Sequence, residues 1–304
     1  MKFSIYQTSR QGGRKYNQDR VAYAYSREAL LMVAADGMGG HFHGEVAAQI
    51  AVELISEMFR KQAAPRLRDP QAFLKASIHQ AHEAIFNYTT ANNLPDSPRT
   101  TCVACIIQDD GACWAHVGDS RLYLFRRGRL VARTRDHSRV QQLLDLGRIT
   151  EAQMSTHPDR NKIYNCLGGE HPPEVEISAR TPLKDGDSVL LCTDGLWGML
   201  SINELGTILD VYPINRAIDE LLDHAELRAG AGGDNLSAVG ATWGDPGKAG
   251  VSALSTAALP LGEVTTRLSR FQDSRKADHE AQISDDDIER AIREIQAAIQ
   301  KYSK

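Results

Sequence analysis

VAADGMGGHFHGE, residues 33–45, decides how the rest of the chain is read. It continues an apolar run, Leu30-Leu31-Met32-Val33-Ala34-Ala35, that has the length and character of a buried strand. The strand ends on a carboxylate, Asp36, followed by Gly37 and then Gly39-Gly40. Helical spacing takes over at once, with Val46, Ala47, Ile50, Ala51, Leu54, Ile55 and Met58 falling on one face. A strand that delivers an acid to a glycine-rich bend places a charge where a ligand can reach it. Glycine lets bare backbone approach an ion. Asp-Gly is also a common hairpin turn, so this stretch needs support from elsewhere in the chain.

That support comes from two further copies of the device. SVLLCTDGLWGML, residues 188–200, is again an apolar strand, a carboxylate (Asp194), a glycine and a turn into a helix. GGDNLSAVGATW, residues 232–243, has it in reverse order: glycines, Asp234, then a strand. Before the first copy, residues 3–9 and 21–25 read as strands; after it, 44–62 and 70–91 read as helices, the second opened by Asp69-Pro70. Residues 100–134 hold four short strands with hairpin turns at Asp109-Asp110-Gly111 and Arg127-Gly128, the pattern of an antiparallel meander. Gly118-Asp119-Ser120 bends the chain between the second and third of them. Two more helices are expected at about 201–210 and 214–229.

A polar insertion from Asp136 to about Gly169 has a short helix near 138–146; a connection of that length in a compact domain is usually functional. Its histidines, His137 and His157, are read as solvated loop residues. From Gly244 the composition turns to Ser, Thr, Ala, Gly and charge, giving a division into a domain at 1–243, a flexible linker at 244–283 and an amphipathic helix at 284–304. Ser284 is the expected N-cap of that helix. Ile288, Ile292, Ile295, Ile299 and Tyr302 form a stripe suited to a partner or to self-association.

Composition narrows the function. A chain of 304 residues can bury one large core, and a formal net charge of −4 disfavours a general nucleic-acid or anionic-membrane binder. No apolar run reaches the ~18 residues of a membrane span, and MKFSIYQTSR lacks the apolar core of a signal peptide. Five cysteines, an odd number in apolar segments, fit reduced core thiols in a cytoplasmic protein. Cys102 and Cys105 lie in a strand, where their odd separation puts them on opposite faces and argues for packing rather than zinc.

The candidate ligands Asp36, Asp194, Asp234 and the Gly37 carbonyl are all oxygen donors, which suits Mg²⁺ or Mn²⁺. His41 and His43 are then neighbours of the site or exposed. Two such ions sharing Asp36 would lower the pKa of a water between them for attack on phosphorus, with Arg14 holding the phosphoryl oxygens. That is hydrolysis of a phosphate monoester.

The chain resembles the metal-dependent protein phosphatases of type 2C, the PPM family, in their compact bacterial form. Seven blocks carry the resemblance, in the family's order. They are Arg14-x-x-Asn17-Gln18-Asp19, Asp36-Gly37-Met38-Gly39-Gly40-His41, Thr100-Thr101, Gly118-Asp119-Ser120-Arg121, Asp136-His137-Ser138, Thr193-Asp194-Gly195 and Gly233-Asp234-Asn235. The resemblance implies an α+β fold, a four-layer α-β-β-α sandwich of two antiparallel sheets flanked by helix pairs. It implies that Asp36, Asp194 and Asp234 hold one metal and that Asp36 with the Gly37 carbonyl holds a second. Asp119 with Asp194 would hold a third, Asp19 would act through water, and Arg14 would bind phosphate. The 138–169 insertion would be the substrate flap. Met38 stands where animal members have the histidine proposed as leaving-group acid, which leaves the identity of that acid open.

The function implied is dephosphorylation of phosphoserine and phosphothreonine in proteins, opposing a serine/threonine kinase. A catalytically weak phosphoprotein-binding regulator of the same fold is the alternative, and it would be expected to have lost a metal carboxylate. A small-molecule phosphatase of the HAD type would want an Asp-x-Asp motif at a strand end, which the sequence does not offer.

Overall fold

The structure, a computed structural model, describes residues 1–38, 43–154, 156–244 and 253–268. Three strands open it: β1 (Lys2–Arg10), β2 (Asp19–Tyr25) and β3 (Ala29–Asp36), followed by helices α1 (Gly44–Gln62) and α2 (Pro70–Ala91). Asp69 caps α2, its side chain accepting from the backbone of Gln71 and Ala72, and Pro70 takes the first helical position. Then come β4 (Cys102–Gln108), β5 (Gly111–Val117), β6 (Arg121–Arg126) and β7 (Arg129–Arg133). The polar insertion contributes α3 (Arg139–Asp145) and α4 (Glu151–Met154), and two short strands follow, β8 (Glu176–Ile177) and β9 (Thr181–Pro182). The chain continues with β10 (Ser188–Cys192), α5 (Asp194–Trp197), α6 (Ile202–Val211), α7 (Ile214–Ala229) and β11 (Leu236–Trp243). Among the described residues the last elements are β12 (Leu254–Ser255) and β13 (Thr265–Leu268).

The strands form two antiparallel sheets, one in the order β12-β1-β11-β10-β6-β7 and one in the order β13-β2-β3-β4-β5-β8, with β9 also on β5. Their facing sides share one apolar layer that includes Phe3, Leu30, Met32, Val103, Cys105, Leu122, Leu124, Val189, Leu191 and Val239. The opposite sides are covered by helices. Leu31, Val33, Cys102, Ala104 and Ile106 pack under α1 and α2. Tyr123, Phe125, Leu190 and Ala238 pack under α6 and α7 with Leu205, Ile218 and Leu221. This is the α-β-β-α sandwich, and it explains why residues 30–35 are apolar without alternation: odd and even positions face different cores, both dry. Cys102 and Cys105 fall in different layers, as strand geometry requires.

Two expectations need correction. The hairpins at Asp109-Asp110 and Arg127-Gly128 form, with the positive φ their turn type demands. The four strands do not make one meander, however: β4 and β5 lie in one sheet, β6 and β7 in the other. The chain changes sheets at Gly118-Asp119-Ser120. The second correction concerns the linker. Within 244–283, β12 pairs with β1 and β13 pairs with β2, so the described stretch 253–268 adds an edge strand to each sheet. Leu254, Val264 and Leu268 pack against the cores there. The amphipathic helix expected at 284–304 lies outside the described residues.

Candidate active site

The site stands where the two sheets present their strand ends to one another. Asp19, at the start of β2, is the cross-strand partner of Asp36, at the end of β3. From the other sheet, Asp194 follows β10 as the first residue of α5, and Asp234 immediately precedes Asn235 and β11. The Thr193 hydroxyl ties the sheets together: it donates to Asp19 Oδ2 at 2.7 Å and accepts from Ser237 N–H at 3.1 Å. Thr100 and Thr101 hold the Asp36 backbone. Thr100 Oγ1 donates to the Asp36 carbonyl at 2.8 Å, and Thr101 exchanges two bonds with Asp36, N–H to carbonyl at 2.9 Å and Oγ1 accepting Asp36 N–H at 3.0 Å. Thr101 Oγ1 also meets Ser120 Oγ at 2.7 Å, which joins the Asp119 bend to the Asp36 strand.

Glycine is required at several places in this frame, Gly37 and Gly12 among them. Gly37 runs so close to Gly44 and to the Gln18 carbonyl that any Cβ would collide with backbone. Gly12 has φ +61°, and a Cβ there would strike the Asp234 carbonyl. The tight fit at Gly12, with Gly13 N–H donating to the Gly233 carbonyl at 3.0 Å, seats the loop carrying Arg14 against the turn carrying Asp234. Arg14 Nη2 donates to Asp234 Oδ2 at 2.6 Å.

The electrostatics identify what the cluster lacks. Burial, and then the charges of the neighbouring acids, pushes every one of Asp19, Asp36 and Asp119 above the ordinary carboxylate range, Asp19 to about 7. Asp194 rises to about 6, by burial and then by the charge of Asp234. Asp19 Oδ1 is buried with no hydrogen-bond partner. Converging buried carboxylates, one of them with an orphaned oxygen, want positive charge beyond what Arg14 offers. All the donors are hard oxygens, so the residues present fit Mg²⁺ or Mn²⁺.

Arg14, Asp19, Asp36, Gly37, Asp119, Asp194 and Asp234, singled out in the sequence, thus lie around one site. His41 lies outside the described residues. His43 sits in the left-handed region at the start of α1 and approaches Glu45 at 3.7 Å. Met38 is held by its N–H donating to the Arg99 carbonyl at 2.9 Å.

His137 is not the solvated loop residue expected. It is 6% exposed, stacked on His116 with ring centroids 4.6 Å apart, and it joins the insertion to the Asp119 bend. Its Nδ1 faces Gly118 N–H at 3.2 Å and the Asn165 amide nitrogen at 2.8 Å, both donors, so the ring proton sits on Nε2, 3.5 Å from Glu176 Oε2. Donor atoms of His116, His137 and Glu176 come within 4.8 Å of one another. His137 turns an N–H toward that carboxylate and not a lone pair, while His116 is stacked on it and bonds through Nε2 to the Arg135 carbonyl at 2.7 Å, so His137 as placed offers no ligand atom to a cation there.

Thr101 and Thr193 are legible in the sequence only as members of motifs, without a role, and Trp197 is not singled out there. Thr193 and Thr101 act through hydroxyls that bridge strands distant in sequence. Trp197 donates Nε1–H to the Asp119 carbonyl at 3.0 Å and carries the Arg121 guanidinium over its ring at 3.5 Å. No periodicity marks such contacts.

A largely buried oxygen-donor cluster between two antiparallel sheets, with an arginine at its mouth, fits a phosphatase that works with hard divalent cations. Comparison with known proteins agrees. Residues 6–231 match the family described as Protein phosphatase 2C. The chain is 31% identical over 236 residues to the serine/threonine phosphatase stp of Listeria welshimeri, covering 76% of this chain and 92% of that one. Among solved structures, the serine/threonine phosphatase PstP/Ppp of Mycobacterium tuberculosis superposes with a TM-score of 0.71 at 32% identity, over 80% of this chain and 99% of that one. The catalytic domain of PstP in complex with two manganese ions gives a TM-score of 0.67 at 30% identity, over 79% and 98% of the two chains. The chain belongs to the protein phosphatase 2C family, as a metal-dependent serine/threonine protein phosphatase of the bacterial type.

Proposed function

We propose that the protein removes phosphate from phosphoserine and phosphothreonine side chains of proteins phosphorylated by a cognate serine/threonine kinase, in the cytoplasm. The observation that carries this reading is the convergence of Asp19 and Asp36 from one sheet with Asp194 and Asp234 from the other, Arg14 being bonded to the last. In this reading Asp36, Asp194 and Asp234 hold one Mg²⁺ or Mn²⁺, and Asp36 with the Gly37 carbonyl holds a second. Asp119 and Asp194 take a third, and Asp19 acts through a water. Bound cations of this kind supply Lewis acidity and a water of lowered pKa. Arg14, already aimed at the carboxylates, orients the phosphoryl group with its planar fork and offsets its charge. The 138–169 insertion, tied back through Thr100–Leu167 and Ser138–Ile163 bridges, serves as the substrate flap. A binding-only regulator is disfavoured because every carboxylate the chemistry needs is present at one place. No helix among the described residues is long and apolar enough to cross a membrane.

Hydrolysis of a phosphothreonine peptide is the test, with Mn²⁺, with Mg²⁺ and with excess EDTA. Activity is expected with either cation and none with chelator; full turnover in EDTA would sink the reading. Arg14→Ala should raise KM about 10–100-fold, the scale of a lost charge-assisted hydrogen bond. Arg14→Lys should recover only part of it, since a point charge lacks the fork.

Every candidate ligand precedes residue 244, so the chain cut after Trp243 is expected to keep metal-dependent turnover. It loses β12 and β13, and its melting temperature should fall by about 3–6 °C, the shift for roughly 1–2 kcal/mol in a domain of this size. An inactive but folded truncation would place the 253–268 strands within the catalytic unit.

A further inference from the structure

Asn235 is 5% exposed, and its side chain is spent entirely on the loop that carries Arg14. Its Nδ2 donates to the Gln11 carbonyl at 2.7 Å and to the Tyr16 carbonyl at 2.9 Å. Its Oδ1 accepts Gln18 N–H at 2.9 Å. The orientation of the amide is fixed by chemistry: two carbonyls can only accept and a backbone N–H can only donate, so no flipped amide satisfies all three. The three partners bracket Arg14 on both sides. Within the loop, Gln11 Nε2 donates to the Arg14 carbonyl at 2.7 Å and to the Lys15 carbonyl at 3.2 Å, so the clamp on residue 11 is passed on to the backbone of Arg14 itself.

The same residue holds the neighbouring acid. Asn235 N–H donates to Asp234 Oδ1 at 2.8 Å, while Arg14 takes Oδ2 of that carboxylate. Its carbonyl lies so close to Gly195 that any Cβ there would collide with it, which locks Asn235 to the turn after Asp194. Arg14, by contrast, has a side chain 55% exposed and pairs with Asp234. Little packing holds the guanidinium, so its position depends on where the loop backbone is fixed.

We infer that Asn235 is a positioning residue for phosphate recognition: its amide clamps residues 11–18 so that the Arg14 guanidinium meets the phosphoryl group, without itself touching substrate. The inference rests on the reading of Arg14 as the phosphate ligand. Its consequence is selective. Loss of the amide should damage substrate binding through Arg14 and leave cation loading through Asp234 nearly intact.

The test is a double-mutant cycle in the full chain. KM and kcat for a phosphothreonine peptide and competition by inorganic phosphate would be measured for Asn235→Ala, Asn235→Asp, Arg14→Ala and the doubles, with Mn²⁺ affinity by calorimetry alongside. Asn235→Ala should raise KM about 10-fold, as for one or two lost hydrogen bonds, with kcat changed far less and Mn²⁺ affinity within about 2-fold. Asn235→Asp, nearly isosteric, should raise KM more, because a carboxylate would face two carbonyls; it also serves if the alanine variant melts below the assay temperature. In the Arg14→Ala background either substitution should add less than about 2-fold, since the group it positions is gone. If Arg14→Ala leaves KM unchanged, the phosphate reading of Arg14 fails and the inference fails with it. If Arg14→Ala raises KM but the Asn235 variants do not, or raise it by the same factor in both backgrounds, Asn235 is not positioning Arg14. A loss of Mn²⁺ affinity large enough to account for the kinetic change overturns the inference as well.

Discussion

Asp194→Asn is expected to lower kcat/KM for a phosphothreonine peptide by about 10²–10³-fold or more, and at the same time to raise the melting temperature of the cation-free protein. The two effects share one cause. Asp194 is half-buried just after β10, as the first residue of α5, beside Asp36 and Asp234, and in the proposed reading it serves two of the cation sites. Removing its charge weakens cation binding, but it also relieves repulsion among acids that Arg14 neutralises only in part. The sign of the pH dependence follows. In the folded, cation-free protein Asp19 is lifted to about 7 and Asp194 to about 6, first by burial. The unfolded chain releases these protons near the ordinary carboxylate value of about 4. The folded state therefore holds protons that the unfolded state has lost. Their stabilising contribution is complete below about pH 4 and disappears as pH rises through about 6 and 7. The melting-temperature gain of Asp194→Asn in EDTA should be small near pH 4.5 and largest near pH 7.5. Added Mn²⁺ should stabilise the wild type more than the variant. A variant less stable than wild type in EDTA at pH 7.5 would mean that Asp194 holds the fold together through its hydrogen bonds and that charge repulsion is a minor matter.

How much of this could be read from the sequence depends on how local each feature is. The three strand-end acids were legible because strand, carboxylate and glycine are contiguous. The hairpins were legible because Asp109, Asp110, Arg127 and Gly128 suit the positive φ values they adopt. The change of sheet at Gly118-Asp119-Ser120 was not. Strands buried on both faces look alike whichever sheet they join, and the tie that matters, Ser120 to Thr101, spans 19 residues. His137 misled for the same reason: its polar sequence neighbours suggest solvent, while its partners Gly118, His116 and Asn165 come from elsewhere. The strands at 254–255 and 265–268 escaped notice because pairings of two and four residues show no alternation long enough to count. Likewise Asn235 could be quoted within a motif, but its three partners at 11, 16 and 18 become neighbours only when β11 pairs with β1.

Arg121→Ala is the second substitution expected to have a large effect, and here the effect is on stability. The Arg121 guanidinium makes a bidentate pair with Asp136, Nε to Oδ1 at 2.8 Å and Nη2 to Oδ2 at 2.6 Å. Nη1 donates to the Tyr123 hydroxyl at 3.1 Å, and the plane lies over the Trp197 ring. The side chains of the pair are 11% and 3% exposed. Truncating the arginine strands Asp136 in a buried site with no counter-charge, a change that destabilises by about 3–5 kcal/mol. It also removes the platform that keeps Trp197 against the Asp119 carbonyl, so weaker cation binding at Asp119 should accompany it. The desolvation argument makes a further demand. Replacing both partners by apolar residues, Arg121→Met with Asp136→Leu, leaves no orphaned charge and should be less destabilising than Arg121→Ala alone. Urea unfolding of the wild type, the single variant and the double variant in EDTA separates the possibilities. If the double variant is the less stable one, what Arg121 contributes is the hydrogen-bond network itself, with Tyr123 and the 136–138 turn, and the stranded charge is not the main cost of losing it.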